Sequence, residues 1–213
     1  MRFVVYGAGA VGGVLGGRLA QHGHDVTLIA RGRHLDAIRT NGLRVEDPDD
    51  TVVLPLPCVA SPAEIDLGAD DVVLVAMKTQ DTAAALADLA AVVPTTTPVV
   101  CVQNGVVNET MALRRFAHVY GVAVMLPTQF LEPGVVQAYS APTTGLLDIG
   151  HIPGGDVDGR AVEIATAFSA SRLLSSARPD IMAWKYRKLI TNLGNAIEAV
   201  CGPAAVAGGS VRS

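Results

Sequence analysis

The sequence predicts an α/β fold: a mostly parallel sheet with helices on both faces, followed by one long final helix. Three observations predict it. Short apolar runs alternate with segments of helical period along most of the chain. Half of the 213 residues are hydrophobic but only 4% are aromatic, so the core must be built from Ala, Val, Leu and Ile, as suits a sheet buried on both faces. And the first apolar run is joined to the first helical segment by glycines in the spacing G-x-G-x-x-G.

That first unit organises the rest. Phe3 to Tyr6 reads as a buried strand, and Val11, Leu15 and Leu19 recur at helical intervals. Val26 to Ile29 reads as the next strand. Between them lie Gly7, Ala8, Gly9, Ala10, Val11 and Gly12. Gly7 allows a sharp turn out of the strand, Gly9 leaves room for a pyrophosphate, and Gly12 lets the helix lie close on the sheet. The unpaired amides and dipole at the helix start favour an anion there. In this strand–turn–helix–strand context the glycines predict a Rossmann-type dinucleotide site. The same glycines interrupt the apolar core that a secretory leader after Arg2 would need.

The end of the second strand predicts which dinucleotide. NAD-binding versions place a carboxylate there for the ribose 2′-hydroxyl. This chain instead has Ile29-Ala30-Arg31-Gly32-Arg33, which suits the 2′-phosphate of NADP, with Arg31 the first candidate and Arg33 the second.

Further along, His34 to Thr40 predicts a short helix ending at Asn41-Gly42, and Leu43 to Glu46 and Val52 to Val59 predict two strands around an acidic turn. Ser61-Pro62 starts a short helix. Val72 to Met77 is a buried strand by length and β-branching, and Lys78 ends it. Thr82 to Val93 is an alanine-rich helix closed by Pro94, and Val99 to Val102 is another buried strand, running into Gln103-Asn104-Gly105. Two successive strands thus deliver Lys78 and Asn104 to the edge that holds the glycine turn, where ligands bind in open parallel sheets. A helix from Asn108 to Phe116 follows. His118 to Met125, Gly134 to Ser140 and Gly145 to Ile149 read as later, partly antiparallel strands of the sheet. Val157 to Ser171 is an amphipathic helix, and Pro179 marks a boundary.

The last helix runs from about Asp180 to Val200. Lys185, Lys188, Asn192 and Asn195 share one stripe, while Trp184, Leu189, Ile190, Leu193, Ile197 and Val200 fill most of the remaining circumference. Such a helix is mostly buried, so its polar stripe is expected to face a wet cleft. Asparagine is a poor helix former, which marks the pair as placed for hydrogen bonding. The tail from Gly202 to Ser213 lacks periodicity and is expected to be disordered.

The remaining features exclude several classes. The net charge is −4 and no basic run occurs, so nucleic acid is not an expected partner. No apolar stretch approaches ~18 residues, so no membrane span is expected. Cys58, Cys101 and Cys201 form no C-x-x-C pair, and the five histidines lack ligand spacing and read as surface or loop residues; no metal is expected. Buried free thiols point to a reducing cytoplasm. Hydrolysis has no nucleophile context.

Together, GAGAVGG at the start, Arg31 after the second strand, MKT around Lys78 and QNG around Asn104 resemble the ketopantoate reductases. Glu132-Pro133-Gly134 with its following strands, and the pair Lys188/Asn192 on a late helix, carry the same resemblance. It extends from Met1 to about Gly202. The family comprises NADPH-dependent 2-dehydropantoate 2-reductases of pantothenate biosynthesis. The resemblance implies hydride transfer from NADPH to the keto carbon of 2-dehydropantoate, a small 2-oxo acid, with Lys188 as the general acid. It further implies that Asn104 and Lys78 position the nicotinamide ribose and help orient the substrate, and that Asn192 holds substrate hydroxyl or carboxylate groups. Asn195 lies on the same stripe, three residues beyond Asn192 where the family pattern expects four.

The resemblance also implies an organisation. Residues 1–178 form the NADP-binding domain, 179–201 the first helix of an otherwise missing all-helical substrate domain, and 202–213 the tail. The last helix then lacks partners within the chain, which predicts an exposed apolar patch or a homo-oligomer formed through it. The alternatives are an NADP-binding module or remnant with little turnover, and a paralogue that reduces another 2-oxo acid.

Overall fold

The structure, a computed structural model, describes residues 1–202 except 69 and 131, and only the backbone of 196 and 197. The tail expected to be disordered therefore lies, from residue 203 on, outside the described residues. In chain order the elements are β1 (Arg2–Tyr6), α1 (Ala10–Gln21), β2 (Asp25–Ile29), α2 (Gly32–Asn41), β3 (Leu43–Glu46), β4 (Thr51–Leu54), β5 (Cys58–Val59), β6 (Val72–Val75) and α3 (Thr79–Ala90). There follow β7 (Val99–Cys101), α4 (Asn108–Leu113), β8 (Val119–Met125), β9 (Thr128–Gln129), β10 (Val135–Ala138), β11 (Gly145–Ile152), α5 (Gly159–Ala170), β12 (Leu173–Leu174) and α6 (Ile181–Cys201).

The main sheet has the strand order β12-β11-β8-β7-β6-β1-β2-β5. From β5 to β8 every neighbouring pair is parallel. The chain builds outward from β1 through β2 to β5, then returns to β1's other side with β6, so the winding reverses between β1 and β6. Ligands bind at such a switch point, beyond the carboxyl ends of the strands. β11 closes the sheet antiparallel to β8, as the sequence suggested for this region, and the unforeseen β12 lies parallel beside it.

Helices cover both faces, as expected. Phe3, Val5 and Leu28 point to the face packed by α1, α2 and α5, while Val4, Tyr6 and Val75 point to the face packed by α3, α4 and the start of α6. The alternation follows from the two-residue period of a strand. Each fully buried aliphatic side chain contributes about 1.5–3 kcal/mol relative to exposure.

Two strand expectations are corrected. The segment from Val52 to Val59 is not one strand: β4 ends at Leu54 and β5 begins at Cys58. Pro55 and Pro57 between them have no N–H for a ladder, so the chain leaves one sheet and joins another. The segment from Gly134 to Ser140 is not a later strand of the main sheet. It is β10, paired in parallel with β3 in a separate sheet of order β4-β3-β10-β9. Val136 and Ala138 of β10 are buried, and Val136 faces α1 at Gly13.

That second sheet explains why α1 is so rich in glycine. A Cβ at Gly12 would lie 2.9 Å from Ala76 Cβ and at Gly16 2.9 Å from Leu28 Cδ2, against the main sheet. At Gly13 it would lie 2.7 Å from Val136 and at Gly17 2.6 Å from Val45, against the small sheet. The helix is clasped between two sheets, both at glycine-close range. Behind it, Arg18 is buried and donates to Thr144 and Gln21 while pairing with Asp47, whose carboxylate also caps the Asp49 and Asp50 amides. This ties α1 to the acidic turn between β3 and β4.

Candidate active site

At the switch point the chain leaves β1 through Gly7, at φ +101°, where a Cβ would lie 2.8 Å from the Met77 amide nitrogen. The Gly7 and Ala8 amides donate to the Ile29 carbonyl at 3.1 and 3.2 Å, which locks the turn to β2. At Gly9 a Cβ would meet no atom within 4 Å, so the missing side chain opens the groove itself. Gly9 is the N-cap of α1 with no side-chain cap, and the first turn carries no acid. Ala10 and Val11 line the groove wall, and the Gly12 position allows α1 to lie on the sheet. These features fit a pyrophosphate.

The groove has two connected lobes that share Gly7, Gly9, Met77 and Phe130. One, of about 280 Å³, runs past Tyr6, Ile29 and Arg31 over β2. The other, of about 800 Å³, runs past Ala76, Lys78, Gln103 and Asn104 over β6 and β7. Arg31 is exposed, lines the lobe over β2 and is the N-cap of α2, a helix whose first amides have no side-chain cap. Burial pushes the Tyr6 phenol up from its ordinary value, while Arg31 close to it draws it back. Arg33 is exposed and does not line the lobe. Lys78 is the N-cap of α3 and lines the larger lobe.

Asn104 ends that lobe. Its carbonyl accepts from Asn108 Nδ2 at 3.2 Å, and its Oδ1 accepts from Lys188 Nζ at 2.7 Å. Lys188, Asn192 and Asn104 line a small recess of about 10 Å³ against Val122 and Val124 of β8. Burial, and then the charge of Lys185, hold the Lys188 ammonium below the ordinary lysine value. That suits a group that must give up a proton.

The polar stripe of α6 divides rather than facing one cleft. Lys188 and Asn192 reach the recess, whereas Asn195 is exposed and does not line it. Lys185 also lines the recess, but its ammonium turns inward to a buried ion pair with Glu109 of α4 at 2.7 Å. The helix is not mostly buried as its apolar circumference suggested: beyond the recess Ile190 is 69% and Leu193 65% exposed, the patch expected of a helix that lacks partners.

Several site residues were not legible. His34, read as a surface or loop histidine, is half-buried in the first turn of α2. Its Nδ1 accepts from the Gly134 amide at 2.9 Å, so its Nε2 carries the hydrogen given to the Ala8 carbonyl at 2.7 Å. His34 thus holds the glycine turn to the loop before β10. Phe130 packs edge-on to it, with ring centroids 4.6 Å apart. Gln103, buried, donates to the Met77 carbonyl and to Thr82 Oγ1, bracing β7 against β6 and α3. The Gln-Asn pair at the strand end was the only signal for it. Cys58 and Cys101 are buried free thiols, as expected, while Cys201 is exposed. Among the described residues no acidic, histidine or cysteine cluster suits a metal, and no helix is long and apolar enough to cross a membrane.

A doubly wound sheet with a glycine-lined groove across its switch point defines a dinucleotide-binding protein, here with a lysine at one end of the groove. Within that class the chain belongs to the ketopantoate reductase family: the profile described as ketopantoate reductase PanE/ApbA matches residues 3–154. It is 31% identical over 192 residues to the 2-dehydropantoate 2-reductase of Pyrococcus horikoshii, covering 90% of this chain and 61% of that protein. The fold resembles crystalline 2-dehydropantoate 2-reductase from Geobacter metallireducens GS-15, with TM-score 0.82, 29% identity and coverage of 93% and 65%. It also resembles D-mandelate dehydrogenase in its ternary structure with NADH and anilino(oxo)acetate, with TM-score 0.79, 25% identity and coverage of 90% and 61%. The chain thus spans under two thirds of these relatives' length.

Proposed function

We propose that the chain binds NADP(H) along the groove and reduces 2-dehydropantoate to pantoate. When bound, the cofactor supplies the hydride for the keto carbon. The α1 amides donate to the pyrophosphate, for which Gly9 leaves room, and Arg31 at the start of α2 donates to the adenosine 2′-phosphate. Asn104 and Lys78 position the nicotinamide ribose. Lys188 protonates the developing alkoxide and stabilises its charge, while Asn192 takes the substrate's hydroxyl or carboxylate. The observation that carries this reading is the Lys188 ammonium 2.7 Å from Asn104, at the end of the groove opposite Arg31.

In this reading residues 1–178 hold the cofactor, 179–201 bring the proton donor, and the compartment is the cytoplasm. The purified chain, mixed with NADPH and 2-dehydropantoate, should lose absorbance at the reduced nicotinamide band. Lys188→Ala should abolish that loss and leave NADPH affinity intact; unchanged turnover would remove Lys188 from the chemistry. A second reading, reduction of a different 2-oxo acid, is favoured by the likeness to D-mandelate dehydrogenase, and a panel of 2-oxo acids separates the two. Tight NADPH binding with no turnover on any of them would leave an NADP-binding module.

A further inference from the structure

Lys185 sits one turn before Lys188 and is as buried as the core around it, its side chain only 3% exposed. Its ammonium donates to the Gln103 carbonyl at 2.8 Å and the Val122 carbonyl at 3.0 Å, and forms an ion pair with Glu109 Oε1 at 2.7 Å. Burying two charges is costly unless geometry and hydrogen bonds are good, and a buried pair is best explained when it specifies an arrangement. Here the arrangement can be named. Gln103 directly precedes Asn104, and Asn108, the neighbour of Glu109, holds the Asn104 carbonyl. The same lysine therefore ties α6 to the two strands whose ends carry the reacting site.

We propose that Lys185, held by Glu109, is a positioning residue for the reduction: it pins the start of α6 to the Gln103 and Val122 carbonyls and so keeps the Lys188 ammonium against Asn104. β8 makes room for the pair. A Cβ at Gly121 would lie 3.3 Å from Glu109 Oε1 and 3.4 Å from its Cγ, so the space a side chain would take there is filled by the carboxylate. Neither Glu109 carboxylate oxygen has a hydrogen-bond partner among the described residues, which leaves the ion pair with the Lys185 ammonium as the carboxylate's main interaction.

The charge has a second effect. Lys188 is lowered first by burial and then by Lys185. Among the described neighbours, Lys185 is the titratable group its own helix brings to Lys188, and Glu109 of α4 stands behind it. β7 and β8 bring Gln103, Asn104 and Val122–Val124, which carry no charge. Lys185 thus both places the proton donor and makes it more acidic.

The test uses the whole chain loaded with NADP, isotopically labelled at lysine Cε and at asparagine side chains, with Lys188 assigned by Lys188→Ala and Asn104 by Asn104→Ala. Two variants are compared with the unmutated chain. Lys185→Met removes the charge, and Lys185→Met with Glu109→Gln leaves a neutral pair of similar size. Both should keep NADPH affinity, move the Lys188 titration to higher pH and uncouple the Asn104 amide resonance from it. The kinetic arm rests on the reductase reading: kcat should fall about 10- to 100-fold, as for a misplacement of about 1 Å, with KM little changed. A folded double variant whose Lys188 titrates as in the unmutated chain, with Asn104 still reporting it, would overturn the proposal. Loss of the fold in both variants would overturn it too, because the pair would then be a stability element. An unmutated chain that binds NADPH without turnover would refute the reductase reading alone, since the titration needs no catalysis.

Discussion

Arg31 and Lys188 stand at opposite ends of one groove, and each makes a separable prediction. In the proposed reading the Arg31 guanidinium, on the lobe over β2, takes the 2′-phosphate, so Arg31→Ala should weaken NADPH binding and leave NADH binding nearly unchanged. Hydrogen bonds to a charged group are worth about 1.5–3 kcal/mol, roughly 10- to 100-fold in affinity. Fluorescence titration of both cofactors reads this, and an equal loss for both would sink the role of Arg31. In the proposed reading Lys188 is the proton donor and can act only when protonated, so turnover should fall as pH rises through its pKa. Because burial and Lys185 depress that value, the alkaline limb of kcat should lie below the ordinary lysine range. Asp47 carries a stability prediction. Burial pushes its carboxyl up, but the Asp49 and Asp50 amides and Arg18 outweigh burial and hold it below the usual aspartate value. A lowered carboxylate contributes stability that is full above the unfolded value and drains as pH falls through the folded one. Asp47→Ala should cost about 3–5 kcal/mol in urea unfolding, because Arg18 is left buried and unpaired.

Among the elements, α1 shows how far spacing could be read. Gly7, Gly9 and Gly12 were legible because the turn they make is local and each has a stated geometric duty. Gly13 and Gly17 were not, because their duty is to a second sheet that the sequence had merged with the first. The two sets should separate in experiment. Gly12→Ala puts a Cβ 2.1 Å from the Gly7 carbonyl, so the turn itself must give and NADPH binding should be lost. Gly17→Ala meets a methyl of buried Val45 rather than the turn backbone, an overpacking that should cost about 1–3 kcal/mol of stability while NADPH still binds. If both variants lost cofactor affinity equally, the division of α1 into two faces would be wrong. The long final helix was legible in extent, from 180 to 200, but its polar stripe proved to serve two environments. Helical period tells which residues share a face; it does not tell whether that face meets water, a recess or a buried carboxylate.

For the whole molecule, the bare stretch of α6 is the feature without a partner among the described residues. Ile190, Leu193 and Val200, the last 84% exposed, leave an apolar strip of a kind that soluble proteins usually cover. Sedimentation at rising concentration should show self-association, and Leu193→Glu should suppress it; a monomer at every concentration would refute that use of the strip. The sequence by itself determined the doubly wound sheet, the glycine turn, the cation at Arg31, and Lys78, Asn104 and Lys188 as the polar residues to watch. All of these rest on interactions between residues close in the chain, or on periods that a strand or helix imposes on its own side chains. Only the tertiary structure decided that β10 joins β3, that His34 clamps the glycine turn to Gly134, and that Lys185 is buried against Glu109. Each of those is a pairing between segments distant in sequence, and nothing local distinguishes a lysine that meets solvent from one that meets a carboxylate across the core.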